Sequence, residues 1–382
     1  MTPGPRVLHL IDSLGVGGAE RSLQELLPGL ESDGIISQIA CLHRPAEGIE
    51  AALVNRFAIT WLPTARTDQI RQVRDLVKRE HIQIVHTSLF NSDIVGRLAA
   101  RNQPAKVLTT LVNTPYVAAR ATDPAVRRSR LEVVRQIDGF TARHFTDHFL
   151  AISQAVKDHC VSTLRIHENK VTVIPRGRDV RRLGAPSAER RARTRMALGV
   201  RPDQSLVVNV ARQEHQKGQA VLIQAYARLL KTQPNAVLVI AGRSGTSTPE
   251  LRRLAETCGV ASTITWLGHC DDIPDLLAGA DVFAFPSLYE GLGGSLLEAM
   301  ALGVPIVASD IPAIAETAPA NVAALLVPTS DPDALARAIA RVLSDRELTS
   351  RLSMAGRRRF LELYTLEEMT ARTSSLYRDL LR

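Results

Sequence analysis

The chain has 382 residues, 45% of them hydrophobic and 23% charged, a composition that excludes a disordered or low-complexity protein and leaves room for two domains. No run of 18 apolar residues occurs, so no transmembrane helix is expected, and the first residues lack the charged head and apolar core of a signal peptide. The formal net charge is +8, and residues 1–185 hold most of it, with 25 Lys and Arg against 18 Asp and Glu; that half is expected to meet something anionic.

In chain order, the first apolar runs are Val7–Ile11, Ile35–Leu42, Ile84–His86, Val107–Leu111, Phe149–Ile152 and Val171–Ile174. Each is short and unalternating, which reads as a buried strand. Between the first run and a following helix stands Gly15-Val16-Gly17-Gly18-Ala19-Glu20. A dinucleotide fingerprint would need glycine where Glu20 stands. The next strand ends Ala40-Cys41-Leu42-His43, with no acid for a ribose, so a nicotinamide cofactor and an oxidoreductase are not expected. Gly17 and Gly18 can still let the backbone approach a phosphate or sugar.

Gln69–Glu80 carries apolar residues at helical spacing. Within Asp123–His148, Arg127, Arg128, Arg130, Arg135 and Arg143 stand among Val126, Leu131, Val134, Ile137 and Phe140. Two readings fit: a helix lying on an anionic membrane surface, or a helix packing its apolar side on its own domain. Nucleic acid is not an expected partner, because no binding motif occurs and aromatics are only 4%. Cys41, Cys160, Cys258 and Cys270 are scattered, without CxxC spacing or metal-ligand spacing in His159-Cys160 and His269-Cys270. That pattern suits a reducing cytoplasm.

Beyond Ile174-Pro175, the segment Arg176–Arg195 is rich in Arg and lacks an apolar period, as a linker does. A second series of runs follows: Leu206–Val210, Ala236–Ala241, Ile264–Leu267, Val282–Phe285, Val304–Ala308 and Leu325–Val327, with a helical pattern at Gly218–Lys231. Short strands alternating with helices build parallel sheets, and two series predict two doubly wound α/β domains. Leu361–Arg382 reads as a final helix.

Two loops of the second series carry chemistry. After Val282–Phe285 comes Pro286-Ser287-Leu288-Tyr289-Glu290-Gly291-Leu292-Gly293-Gly294-Ser295, opening a helix that bears Glu298. Glycines and helix-terminal amides suit an anion such as phosphate, and the two carboxylates can accept bonds from sugar hydroxyls. After Leu206–Val210 comes Arg212-Gln213-Glu214-His215-Gln216-Lys217-Gly218. An Arg fork and a Lys point charge on one loop suit a diphosphate. Only six residues of the chain are lysines, against 41 arginines, so a lysine at this point is unusual.

Together these segments resemble the retaining glycosyltransferases of family 4, across nearly the whole chain. The family's Glu-x7-Glu motif stands as Glu290 and Glu298 within Ser287–Ser309, which closes with Ala301-Leu302-Gly303-Val304-Pro305-Ile306-Val307-Ala308-Ser309. Its Arg-x4-Lys-Gly element is Arg212, Lys217 and Gly218. Further matches are Ala241-Gly242-Arg243-Ser244-Gly245, Trp266-Leu267-Gly268, the acid Glu316 and the N-terminal Gly-Gly-Ala-Glu.

The resemblance implies a GT-B fold, with two Rossmann-like domains facing a central cleft. It implies an acceptor domain at 1–178, a donor domain at 179–360 and a helix at 361–382 returning to the first. It also implies a retaining, metal-independent transfer of sugar from a nucleotide-diphosphate sugar to a glycan or lipid-linked acceptor, by a cytoplasmic protein, with no cofactor. Arg212, Lys217 and Glu290 would be catalytic. The donor would be held by Gly17, Gly18, Arg212, Lys217, Glu290, Leu292, Gly293, Gly294 and Glu298, with no metal ligands. The sequence departs from the family twice: Val112 stands where a His is common, and Arg176 replaces a small amide in Pro175-Arg176-Gly177-Arg178-Asp179. A nucleotide-sugar epimerase of the same fold and a non-catalytic sugar-nucleotide binder are the alternatives.

Overall fold

The computed structural model describes residues 4–46 and 48–382. The chain forms two compact units, one of residues up to Asp179 together with Thr365–Arg382, the other Val180–Tyr364. In the first unit, β1 (Arg6–Ile11), β2 (Ile36–Cys41), β3 (Ala58–Trp61), β4 (Ile84–Ser88), β5 (Lys106–Leu111), β6 (His148–Ala151) and β7 (Val171–Val173) make a parallel sheet in the order β3-β2-β1-β4-β5-β6-β7. The second unit orders β8 (Ser205–Val210), β9 (Ala236–Ala241), β10 (Ile264–Gly268), β11 (Val282–Phe285), β12 (Ile306–Ser309) and β13 (Leu325–Val327) as β10-β9-β8-β11-β12-β13. These are the two doubly wound α/β sheets that alternating strands and helices predict.

Strand order reverses between β1 and β4 in one sheet and between β8 and β11 in the other. In open parallel sheets the crevice beyond the strand ends at such a reversal is where ligands bind. The loops that leave these four strands are therefore the functional candidates of each unit.

Successive side chains of β1 enter different cores. Leu8 and Leu10 pack with Val73, Leu76 and Val95. Ile11 joins Leu27, Ile39 and Phe57 on the opposite face. In the second unit, Val207, Ile240 and Val282 from the sheet pack with Leu222, Ile339 and Leu352 from the helices. Each such side chain contributes roughly 1.5–3 kcal/mol on full burial.

Several elements differ from expectation, among them the segment Arg176–Arg195, read as a linker, which holds the helices Val180–Leu183 and Ala188–Ala197. β3 was not foreseen: Ala58–Trp61 is an edge strand of exposed to half-buried residues, although the sequence holds an apolar run there, Phe57-Ala58-Ile59-Thr60-Trp61-Leu62. The strand expected at Val304–Ala308 begins at Ile306. Pro305 lacks an N–H for the ladder, although its carbonyl accepts from Phe283 N at 2.9 Å. The final helix is Leu366–Asp379, since residues 361–363 complete the helix Arg346–Leu363. The chain breaks at Tyr364, and the Thr365 hydroxyl then caps the new helix by accepting from Glu368 N at 3.3 Å.

This last helix is part of the first unit. Ser374 Oγ donates to Asp33 Oδ2 at 2.6 Å, and Thr370 fills the space above Gly29 of the helix Gly18–Ser32. Where the chain leaves and re-enters the first unit, its two passes lie side by side: Arg178 and Thr365 form a parallel bridge, and Leu366 N donates to Arg178 O at 3.0 Å. A side chain at Gly177 would run into the Thr365 carbonyl. Among the described residues, no helix is long and apolar enough to cross a membrane.

Candidate active site

In the second unit the loops after β8 and β11 are docked on one another. Gly218 takes a left-handed conformation (φ +61°), and a Cβ on it would strike the Pro286 carbonyl. Only glycine lets the backbones approach so closely. Leu288 N donates to Gln216 O at 2.8 Å, and Gln216 Nε2 donates to Tyr289 O at 2.8 Å. Asn209, buried on β8, donates from Nδ2 to Ala284 O at 2.9 Å and accepts from Gln219 Nε2 at 2.9 Å. These bonds hold the two loops in fixed register.

The docking brings together the charged residues singled out in the sequence. Lys217 Nζ lies 2.5 Å from Glu290 Oε1, and the Ser287 hydroxyl donates to the same oxygen at 2.9 Å. Side-chain exposure is 16% for Lys217 and 7% for Glu290, so water screens this ion pair only in part. The Glu290 carboxylate is thus held by two donors on one oxygen. Arg212 is exposed at the start of the same loop.

Leu292 is buried below the turn, and Gly293 (φ +91°) packs against the Phe285 ring. Gly293 precedes the helix Gly294–Ala301, which has no side-chain cap at its first turn. Its leading amides are open to an anion, and Ser295 Oγ fixes the turn by donating to Val210 O at 2.9 Å. Glu298 is buried one turn into this helix. Arg212, Lys217, Glu290, Leu292, Gly293, Gly294 and Glu298 therefore share one switch point. Gly17 and Gly18 belong to the first unit.

In that unit Gly17 is the N-cap of the helix Gly18–Ser32 and Glu20 its third residue. The Glu20 carboxylate folds back over the place where a Gly17 Cβ would stand. Glu20, read as a defect in a dinucleotide fingerprint, thus covers the helix entrance as a capping-box acid does. Beyond β1, Asp12 accepts from Ser92 N at 2.9 Å and Asn91 Nδ2 at 3.0 Å, tying the loops of this switch point together.

Beside the end of β5 runs a groove of about 560 Å³. Val112, Leu131 and Val134 form apolar wall, Arg127 and Arg130 stand at it, and Asp93 belongs to its lining. Behind the groove, Arg97 is fully buried and donates to Asp138 Oδ1 at 2.8 Å and Thr141 Oγ1 at 3.0 Å. The Tyr116 hydroxyl donates to Asp138 Oδ2 at 2.8 Å. Burial pushes the Asp93 carboxyl up to about 7 despite nearby Arg97. Arg176 lines a separate small cavity with His9 and His86.

Sequence reasoning gave no role to Ser287, Gln216 or Asn209. Their importance lies in contacts between loops far apart in sequence, and no local spacing marks them. Among the described residues, no three His, Cys, Asp or Glu side chains gather as metal ligands would.

Residues 16–182 match the family described as Glycosyltransferase Family 4, and residues 190–359 match Glycosyl transferases group 1. The chain belongs to glycosyltransferase family 4. The chain is 38% identical over 181 residues to a GDP-mannose-dependent alpha-(1-6)-phosphatidylinositol monomannoside mannosyltransferase of Mycobacterium tuberculosis, covering 45% of this chain and 46% of that one. It is 27% identical over 308 residues to a UDP-Gal:alpha-D-GlcNAc-diphosphoundecaprenol alpha-1,3-galactosyltransferase of Escherichia coli, covering 80% and 77%. Against two further curated glycosyltransferases, 32% and 31% identical, the match spans 59% and 61% of their own length. The Anabaena protein HepE, solved in complex with UDP and glucose, superposes with a TM-score of 0.84 at 20% identity, over 98% of this chain and 100% of that one. The fold is of the GT-B type, built of two parallel-sheet α/β units.

Proposed function

We propose that this family 4 chain is a retaining, metal-independent glycosyltransferase that moves a sugar from a nucleotide-diphosphate sugar to a glycan or lipid-linked acceptor. The observation that carries the reading is the second unit's switch point, where the Lys217–Glu290 pair and exposed Arg212 share docked loops with the uncapped helix Gly294–Ala301. Arg212, Lys217 and the amides near Gly293 and Gly294 supply positive charge and donors for a diphosphate. Glu290 is held in place by Ser287 and Lys217 and accepts bonds from donor-sugar hydroxyls. Glu298 holds the ribose.

In the transfer, the bond from the anomeric carbon to the phosphate oxygen breaks as the acceptor oxygen attacks from the same face. The acceptor proton passes to the departing phosphate. Cations placed at the diphosphate stabilise the charge that grows on this leaving group, which is the work a metal would otherwise do. Both glutamates serve as binders, and no covalent sugar–enzyme intermediate is needed.

The acceptor reading is supported by the relatives' names, which include a diphosphoundecaprenol and a phosphatidylinositol derivative. An anionic membrane surface suits the first unit. On the helix Arg128–Phe145, Val133, Ile137 and Phe140 are about half exposed at helical spacing, beside the exposed Arg127, Arg128 and Arg130. Such a protein would work at the cytoplasmic face of a membrane. Failure to co-sediment with phosphatidylglycerol vesicles at low salt would remove the membrane from this proposal.

The deciding experiment is thermal stabilisation by a panel of UDP, GDP and their sugars, with and without EDTA. A ligand that binds only the native state raises the melting temperature. A shift with one diphosphate that EDTA leaves unchanged is the expected result. No shift with any nucleotide would overturn the proposal.

A further inference from the structure

The first-unit groove has features that its own unit does not explain. Arg127 and Arg130 line it, and Arg128 follows between them. All three are exposed, and none of their side chains has a hydrogen bond or ion pair among the described residues. They stand at the N-terminal end of the helix Arg128–Phe145, whose first turn holds no acid and whose N-cap makes no side-chain bond. The positive end of a helix dipole disfavours cations. Three arginines there, without acidic partners, repel the helix end and one another unless an anion joins them.

A second, independent feature lies in the same groove. Asp93 is only 7% exposed, and its Oδ1 has no hydrogen-bond partner among the described residues. A desolvated carboxylate oxygen without a donor is unfavourable, and Asp93 belongs to the lining of this groove. Between this lining and the arginines the wall is largely apolar: Leu89, Leu111, Val112, Val126, Leu131 and Val134. The groove volume, about 560 Å³, falls within the range typical of small-molecule sites, roughly 300–1,000 Å³.

We infer that this groove binds a phosphorylated amphiphile, with the phosphate on Arg127 and Arg130 and the apolar part against Leu131, Val134 and Val112. Inorganic phosphate alone would leave the apolar wall wet. An uncharged lipid would leave the arginines unneutralised. Only a molecule with both parts satisfies both features. Naming this ligand the acceptor rests on the transferase reading above; its binding does not.

The test uses the whole chain and soluble single molecules, so that a bilayer takes no part. Lauroyl lysophosphatidylglycerol, below its micellar concentration, is titrated calorimetrically against monolauroylglycerol, which lacks phosphate, and glycerol phosphate, which lacks the chain. The lysolipid is expected to bind at least tenfold more tightly than either. The double variant R127A/R130A is expected to lose at least tenfold in that affinity while keeping its melting temperature, because neither side chain has a partner in the fold. Equal affinity for the lysolipid and either fragment, or an unchanged double variant, would overturn the inference. So would binding seen only with phosphatidylglycerol vesicles, which would make these arginines a bilayer contact. The same preparation is melted with UDP and GDP. A nucleotide shift without lysolipid binding sinks the groove and leaves the donor reading. Lysolipid binding without a nucleotide shift does the reverse.

Discussion

The Tyr377 hydroxyl lies 2.6 Å from His86 Nδ1, although the two residues are 291 positions apart. His86 stands in register beside His9 on neighbouring strands, with ring centroids 5.5 Å apart. Its other nitrogen is 2.5 Å from Thr110 Oγ1. The last helix is thus anchored by a polar bond inside an otherwise apolar layer. Tyr377→Phe removes the hydroxyl and leaves a buried imidazole nitrogen without a partner, at a cost of about 1–3 kcal/mol. Calorimetry should show a lower melting temperature for the transition that includes the first unit. An unchanged melt would mean that the bond contributes nothing.

The same imidazoles set a pH dependence. Burial lowers the His86 pKa to about 4 and holds His9 well below its ordinary value, with His86 itself adding to the latter effect. Unfolded histidines take up protons near pH 6.5; these do not until the pH is much lower. Stability from this pair is therefore full above about pH 6.5 and is lost as the pH falls toward 4. His86→Gln should flatten the melting profile between pH 6.5 and 4, relative to the wild-type chain.

Asp93 acts in the opposite direction. Its carboxyl is raised from an ordinary value of 3.8 to about 7, so the fold retains a proton that the unfolded chain has released. Its contribution is present at low pH and is lost as the pH rises from about 4 to 7. Asp93→Asn should therefore gain stability relative to wild type on going from pH 4 to pH 7. A constant difference across that window would contradict the buried, raised carboxyl.

Lys217 and Glu290 should prove coupled. Lys217→Ala, Glu290→Gln and Glu298→Ala are each expected to lower turnover at least tenfold, which is about 1.4 kcal/mol of barrier. Because Lys217 and Glu290 share one contact, their double variant should lose less than the two single losses combined. Steady-state rates for the four forms of that cycle test this. Full activity in any single variant would remove that residue from the site.

Gly218 and Gly199 separate backbone strain from loop docking. Both have a positive φ, +61° and +67°, but a side chain at Gly199 meets nothing within 4 Å. Gly199→Ala should cost only the left-handed penalty, about 1–2 kcal/mol, and keep any nucleotide-induced shift. Gly218→Ala must also push the Pro286 carbonyl away, and should abolish that shift.

Much of the fold could be read from the chain because buried parallel strands leave short apolar runs. β3 leaves such a run as well, Phe57-Ala58-Ile59-Thr60-Trp61-Leu62, and as a short edge strand of half-exposed residues it was not foreseen. Lys217 and Glu290 were visible as charged residues in glycine-bearing loops after strands, whereas their 2.5 Å contact depends on two loops meeting. The segment around Arg127 shows the limit most clearly. Read as one amphipathic face, its apolar residues divide in the structure: Val126, Leu131 and Val134 turn into the groove, while Ile137 and Phe140 stay exposed. Helical spacing places residues on a cylinder but does not say which neighbour each side of it will meet.

The side-by-side passes at Arg178 and Thr365 bear on how the protein is born. The helix that covers His86 leaves the ribosome only after the whole of Val180–Tyr364. At roughly 5–20 residues per second, the nascent first unit waits on the order of 10–40 s with its histidine layer unroofed. During that interval the second unit can fold to completion, so the first unit to be started is the last to be finished. A chain released just after Tyr364 would carry a complete second unit attached to an unfinished first.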